Sequence, residues 1–167
     1  EWGLKSSQYN LSVFSIRRPY LLDEAPTYTI DGETTVNGAE AGTRLKGSYL
    51  EAHTQVTYLQ TQRRSFETQY IPHWSGRLHL LTPSNRPWIA GLHFIYNSEK
   101  RIDSIKIPDW VLVNLSAKYA WSQNEIEIFV YNVFNRKYYR EASEQYGHYF
   151  LFPEKQNSVF INYKLLI

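Results

Sequence analysis

Apolar and polar residues alternate along most of this chain, and a period of two predicts β-strands. The clearest case is the segment 156–167, in which Val159, Ile161 and Tyr163 point one way and Asn162 points the other. Helical periodicity is almost absent, so the pattern predicts an all-β protein whose strands have one apolar face. The nine predicted strands are 1–5, 9–18, 35–46, 49–62, 71–82, 87–98, 109–121, 125–134 and 156–167.

The lengths of the strands and connections predict the architecture. Several predicted strands are longer than the roughly five or six residues usual in soluble proteins. They reach a length of about nine to eleven residues, which is what a strand needs to cross a bilayer. Short and long connections alternate, and this regularity predicts an antiparallel up-and-down transmembrane β-barrel segment with short periplasmic turns and long external loops. The short connections are 6–8, 46–48, 83–86 and 122–124, and the long ones are 19–34, 63–70, 99–108 and 135–155.

The last strand sets the predicted orientation. The connection before 156–167 is long and is therefore assigned to the outside, so Ile167 would lie at the periplasmic side of a bacterial outer membrane. A final strand that ends on an apolar residue is typical of outer-membrane barrels. The alternative is a soluble sandwich with 156–167 as an edge strand, although Greek-key connections give no reason for a regular alternation. Because the segment 1–5 resembles the inside of a strand, we also expect residues upstream of it.

The two predicted strand faces differ in chemistry. One carries aromatic residues near both strand ends, as expected of girdles at the two membrane interfaces. The other carries charges and histidines, which suit a polar lumen or a contact with a plug, the alternative being the solvated face of a soluble sheet. The predicted lipid-facing girdle residues are Trp74, Trp88, Tyr96, Trp121 and Tyr163, and the predicted lumen-facing or plug-facing residues are Glu40, Arg44, Glu51, His53, Arg77, His79, His93 and Lys118.

This face assignment predicts how the chain tolerates charge. Val113 and Leu92 would face lipid, while Asn114 and His93 would face the lumen. We therefore expect Arg to destabilise the protein in a membrane more at the first two positions than at the second two.

Composition excludes several classes of protein. The 167 residues fit one domain or part of a larger one, and the net charge of +2 predicts no nucleic-acid partner. Cysteine is absent, the five histidines lack metal-ligand spacing, and no known catalytic motif is present. We therefore expect neither an enzyme nor a bound cofactor or metal. The 14 Tyr and five Trp suit membrane interfaces.

Four motifs resemble those of TonB-dependent outer-membrane receptors. The sequence NVFNRKYY at 132–139 resembles the family's NLFDKKY segment near the end of the barrel. In addition, EWGLK at 1–5 resembles its E-x-G-x-K strand and VNGAE at 36–40 resembles its N-x-G-x-E segment. The sequence IPDWVLVNL at 107–115 resembles its P-x-(Y/W)-x-x-x-(D/N)-L segment. The family usually ends on Phe or Trp, where this chain has Ile167.

The resemblance implies a transporter. Residues 1–167 would form the C-terminal part of a 22-stranded barrel domain, with the plug domain and the earlier strands lying outside them. Such a receptor imports a scarce nutrient, foremost a ferric siderophore, with energy from the TonB system passed through the plug. Its other partners would be outer-membrane lipid and the remaining barrel strands. The alternative is a self-contained small β-barrel binding module or a porin-like protein, against which the odd strand count argues.

The long connections carry candidate ligand-binding residues. Aromatic side chains offer stacking and contact area, and Arg offers charge-assisted hydrogen bonds, which suits anionic and partly aromatic iron chelates. Arg140 is the foremost candidate because aromatic residues flank it. The predicted ligand-binding residues are Tyr138, Tyr139, Arg140, Tyr146, His148, Tyr149, Arg64, Tyr70 and Arg101.

Overall fold

The computed structural model describes residues 3–24, 27–63, 66–67, 71–102, 105–145, 148–154 and 156–165. Side chains are described for residues 3–17, 34–62, 71–101, 105–140, 150–154 and 156–165. Within these ranges the chain is all-β, and none of it forms a helix that could cross a membrane.

Within the described ranges the structure has thirteen strands. The eight main strands lie where the alternating pattern predicts strands, whereas five short strands lie in the segments 63–70, 99–108 and 135–155, which were predicted as long connections. Most predicted ends agree with the observed ends within about three residues, because the period-two pattern stops where the turn residues begin. In chain order the strands are β1 (Leu4–Glu24), β2 (Thr27–Gly47), β3 (Glu51–Arg63), β4 (Phe66–Glu67), β5 (Trp74–Leu81), β6 (Trp88–Asn97), β7 (Lys100–Ile102), β8 (Ile105–Ile107), β9 (Trp110–Trp121), β10 (Asn124–Tyr131), β11 (Tyr139–Gln145), β12 (His148–Pro153) and β13 (Ser158–Leu165).

One antiparallel sheet contains the eight main strands in the order β1-β2-β3-β5-β6-β9-β10-β13. Each main strand pairs with the next one along the chain, as the alternation of short and long connections predicted. The short strand β4 pairs with β3, and two separate hairpins, β7–β8 and β11–β12, lie within long connections. In the part of the chain that the structure describes, β1 and β13 lie at opposite edges and do not pair, so this sheet stays open.

The start of the sheet differs from the prediction. The segments 1–5 and 9–18 were predicted as two strands joined by a turn at 6–8, but Ser6, Ser7 and Gln8 all lie inside β1. They pair with Lys46, Leu45 and Arg44 of the neighbouring strand. Pairing with β2 satisfies their backbone groups, which outweighs the turn preference of serine. The sheet therefore has eight main strands instead of nine.

The first long connection also differs from the prediction. The segment 19–34 was predicted as a loop, but β1 continues to Glu24 and β2 begins at Thr27. The two strands stay paired through this region apart from one irregularity between Pro19 and Leu21, where proline removes a ladder donor. The connection is thus a long two-stranded hairpin.

The turn between β9 and β10 contains a strained residue. The strands close with the pair Trp121–Asn124, and Ser122 and Gln123 form a two-residue turn. Ser122 has a φ of 49°, in the left-handed region that glycine adopts most readily.

We expect Ser122→Gly to raise the free energy of unfolding by up to about 1 kcal/mol, because the left-handed conformation costs a non-glycine residue roughly that much. Denaturant unfolding in lipid vesicles measures the change. Gln123→Gly is the matched control, because Gln123 lies outside the left-handed region and should gain nothing. Equal shifts for the two variants would contradict this interpretation of the turn.

The register gives the sheet two faces of opposite character. On one face, called here the apolar face, β3, β5, β6, β9, β10 and β13 place no charged side chain among the described residues. Large side chains on this face are uncovered: Val13 is 79% exposed and Ile161 is 65% exposed. A soluble sandwich would bury such a face against a second sheet. The exposed apolar face therefore needs a cover from outside the described chain.

Candidate ligand-binding cleft

The opposite face of the sheet, called here the polar face, carries the residues predicted to line a lumen. Cross-strand pairs such as Arg44–His53 and Gln55–Arg77 establish that they share a face. All eight predicted lumen-facing or plug-facing residues lie on this face: Glu40, Arg44, Glu51, His53, Arg77, His79, His93 and Lys118. The five predicted girdle residues lie on the apolar face, with Trp74 and Tyr96 toward the long connections and Trp88, Trp121 and Tyr163 toward the short turns.

Three histidines form a row across the polar face. His53 is paired in register with His79, and His79 with His93. The Nδ1 atoms of His79 and His93 lie 2.6 Å apart in a hydrogen bond, and His93 Nε2 is 2.8 Å from Ser116 Oγ. Among the described residues no group of three or more His, Asp or Glu side chains has the arrangement of a metal site. The row is a hydrogen-bonded element of this face.

Two charged residues of the polar face already have protein partners. Lys118 Nζ lies 2.6 Å from Glu125 Oε2, which is an ion pair between neighbouring strands. Glu51 is buried at the short-turn end and accepts hydrogen bonds from the backbone N–H and the hydroxyl of Ser84. Glu51 thus ties the turn between β5 and β6 to the start of β3.

A buried hydrogen-bond cluster lies at the opposite end, where β10 stops. Asn132 has a φ of 51° and is 1% exposed. Its side chain accepts from Arg136 N at 2.9 Å and donates to Arg136 O at 2.8 Å. Its backbone N–H donates to Asn114 Oδ1 at 2.8 Å. Asn132, Asn114 and Arg136 form what is called here the Asn132 cluster, and it fixes the direction in which the chain leaves β10.

Aromatic packing continues this cluster. The rings of Trp110 and Tyr138 pack with their centroids 4.8 Å apart, and Leu112 completes the small core. Tyr138 is 3% exposed, and its hydroxyl shares a hydrogen bond with that of Tyr131. Burial and this hydrogen bond raise the pKa of the Tyr138 hydroxyl well above its usual range. The prediction that Tyr138 binds ligand is corrected accordingly, since its side chain packs against protein.

Asn114 requires a second correction. It was expected to tolerate Arg as a lumen-facing residue, but it is 2% exposed and accepts the Asn132 N–H. An Arg side chain there would displace a satisfied buried acceptor and bury a charge. Facing the polar side of the sheet is therefore not equivalent to facing open space.

Beside Trp110 a cleft of about 330 Å³ opens on the polar face at the long-connection end. Three cationic side chains line it: Arg77 from β5, Lys100 from β7 and Arg140 from β11. Trp110 supplies an aromatic wall, and no carboxylate is among the described residues that line the cleft. Arg140 Nη1 lies 3.9 Å from Glu154 Oε1, which offsets part of one charge. The cleft can accept an anionic group with an aromatic part.

The other predicted ligand residues lie in several places. Tyr139 is half-buried at the start of β11, and Arg101 is exposed on the β7–β8 hairpin. The backbones of His148 and Tyr149 lie in β12, and their side chains are outside the described set. Arg64, Tyr70 and Tyr146 lie outside the described residues.

Sequence reasoning missed that Arg77 and Lys100 join Arg140. The assignment of faces already placed Arg77 on the polar side. However, the folding of β7 and β11 back toward the end of β5 carries no local sequence signal.

Comparisons with known proteins agree with this geometry. The family model described as TonB dependent receptor-like, beta-barrel matches residues 1–135. The chain therefore belongs to the TonB-dependent receptor β-barrel family, a family of bacterial outer-membrane receptors and transporters that are not enzymes. The resemblance noted in the sequence is confirmed. No curated protein matches the chain.

Solved structures show the same fold. The ferric yersiniabactin uptake receptor FyuA from Yersinia pestis has a TM-score of 0.79 at 12% identity, covering 96% of this chain and 28% of that one. The ferric-catecholate import receptor Fiu from E. coli K12 has 0.70 at 14%, covering 95% and 25%. The ferripyoverdine receptor of the Pseudomonas aeruginosa outer membrane has 0.72 at 15%, covering 94% and 24%. The chain thus spans about a quarter of the length of these receptors.

Proposed function

We propose that this chain is part of an outer-membrane receptor that binds a ferric siderophore and imports it with energy supplied by the TonB system. The observation that carries the proposal is the cleft on the polar face, where Arg77, Lys100 and Arg140 surround one opening beside Trp110. Iron chelates with acidic or phenolate oxygens match that combination of cations and aromatic surface. The three structural neighbours are receptors named for iron chelates, which supports the same class of ligand.

The proposed arrangement in the membrane follows from the two faces. The apolar face contacts outer-membrane lipid, with its aromatic residues at the two interfaces. The polar face lines the lumen and contacts a plug domain through which TonB acts. The long connections, including the cleft, face outward, and β13 ends at the periplasmic side. In this proposal residues 1–167 are the C-terminal portion of the barrel domain, and the remaining strands pair with β1 and β13.

Ligand binding by whole cells tests the cleft. The double variant Arg77→Gln/Arg140→Gln in the complete receptor should bind an iron-55-labelled catecholate or phenolate chelate at least about tenfold more weakly. The reason is that a hydrogen bond to a charged group contributes roughly 1.5–3 kcal/mol. Binding is measured at equal amounts of folded receptor in the outer membrane.

The matched control for this experiment is Lys106→Gln. Lys106 is an exposed cation on β8 that pairs with Glu99 at 2.7 Å, which lowers the pKa of that carboxyl, and it does not line the cleft. Its replacement should leave binding unchanged. If the double variant binds all the labelled chelates as the wild type does, the cleft is not the ligand site.

Energy coupling is tested separately. In cells that lack TonB, labelled chelate should bind to the surface but should not accumulate inside. Accumulation at the wild-type rate in such cells would contradict the transport proposal, whatever the outcome for the cleft.

A further inference from the structure

The apolar face contains a groove that the proposed ligand site does not use. It has a volume of about 620 Å³, lies toward the short-turn end of β5 and β6, and continues across the middle of β9 to Ile128 and Val130 of β10. Its floor is the register pair Ala90–Ala117, and its walls include Leu80, Leu92 and Ile128. Small residues between larger ones leave a depression in a sheet surface that is otherwise filled.

A cationic and aromatic pair stands at one end of this groove. Trp88 precedes Ala90 on the same face of β6, one row closer to the short turn. The guanidinium of Arg86 lies 5.5 Å from the centroid of the Trp88 ring, in a cation–π contact. Arg86 is exposed, and within the described part of the chain no ion pair engages it. Arg86 therefore places a positive charge beyond the aromatic end of the apolar groove.

This order of chemical groups matches the order of groups in a phospholipid. An acyl chain fits the apolar groove, an indole prefers the interface between chain and headgroup, and a guanidinium attracts a headgroup phosphate. We propose that this groove binds an anionic glycerophospholipid, with an acyl chain over Ala90 and Ala117 and its phosphate at Arg86. The inference rests on the membrane orientation in the proposed function, but not on the identity of the transported ligand.

The groove gives specificity that a flat surface would not. An acyl chain in a concave site contacts protein on its floor and both walls, and each close contact adds a small dispersion energy. A volume of about 620 Å³ also lies within the roughly 300–1,000 Å³ usual for ligand sites. The charge of Arg86 then separates anionic from zwitterionic lipids of the same chain length.

Native mass spectrometry of the complete receptor in detergent tests the proposal. Phosphatidylglycerol and phosphatidylcholine with identical acyl chains are titrated separately. The wild type should bind the anionic lipid about fivefold more tightly, since one basic residue at a membrane surface contributes about that factor. Arg86→Gln should remove this preference. Arg101→Gln is its control, because Arg101 is an exposed cation at the opposite end of the sheet, and it should retain the preference.

A second pair of variants tests the groove itself. Ala117→Leu fills the floor and should weaken the binding of both lipids several-fold. Ala41→Leu makes the same change at an exposed position of the apolar face outside the groove, and it should leave binding unchanged. The comparison uses only the folded fraction of each variant, separated by its mobility without heating.

Several results would overturn the inference. These are equal affinity of the wild type for the two lipids, an unchanged preference in Arg86→Gln, or equal losses in Ala117→Leu and Ala41→Leu. If lipid A displaces bound phosphatidylglycerol at a concentration below that of phosphatidylglycerol, the groove belongs to the other leaflet. That result would also overturn the inference. Because no chelate enters this experiment, its failure leaves the transport tests to be judged on their own.

Discussion

Replacing Val56 by Arg should lower the free energy of unfolding in lipid vesicles by about 2–4 kcal/mol, the cost of Arg on the lipid face near the bilayer centre. Replacing the adjacent Gln55 by Arg should change it by less than about 1 kcal/mol. Both side chains are exposed in the middle of β3, and they point to opposite faces of the sheet. Val56 is on the apolar face, whereas Gln55 is on the polar face beside Arg77.

Equilibrium unfolding by urea of the complete receptor in vesicles measures both variants. The pair is well matched because, if both sites faced water, Arg would change the free energy of unfolding little at either one. If lipid covers the apolar face, the Arg charge is poorly solvated at position 56 only. Equal losses for Val56→Arg and Gln55→Arg would therefore show that lipid does not cover the apolar face, and the assignment of the two faces would be wrong.

The second large effect is expected at Asn132. Asn132→Ala removes two hydrogen bonds to Arg136 and leaves a residue with a Cβ at a φ of 51°. Each lost bond contributes about 0.5–1.5 kcal/mol, and more where a buried partner stays unsatisfied. The strain of the left-handed conformation, which the Asn side chain no longer offsets, adds about 1 kcal/mol to this loss. We therefore expect a total loss of about 2–4 kcal/mol.

Two further variants separate these contributions. Asn132→Gly removes the same hydrogen bonds but relieves the strain, so its loss should be about 1 kcal/mol smaller than that of Asn132→Ala. Asn135→Ala is the control for position, because Asn135 has a φ of 50° but is exposed, and its side chain accepts one surface hydrogen bond from the Asn157 N–H. If Asn135→Ala costs as much as Asn132→Ala, burial of the Asn132 cluster does not contribute as argued.

The main strands were predictable because alternation depends only on which face is apolar. The predicted segments 109–121 and 71–82 agree closely with Trp110–Trp121 and Trp74–Leu81. The extra turn at 6–8 was wrong because turn chemistry there is overridden by pairing with a strand some 40 residues away in the sequence. Local sequence carries no information about that partner.

The cleft was less predictable for the same reason. Arg140 was identified as a candidate because it is an arginine flanked by aromatic residues in a long connection, and it does line the cleft. Tyr138, two residues earlier, has the same kind of sequence context but is buried against Trp110. Which loop residues fold back over the polar face is decided by packing between distant elements. A single sequence therefore gives the types of residue present but not their neighbours.

The bond between Asn132 and Asn114 also bears on how β9 and β10 find each other during folding. In a sheet with one apolar face, a shift of one residue turns every side chain to the wrong side. If β10 shifted against β9, Val130 would leave the apolar face, and the Asn114 side chain would lose the Asn132 N–H. The hydrogen bond from the Asn132 N–H to Asn114 Oδ1 forms in only one register, so it favours the correct alignment of β9 and β10 over a shifted one.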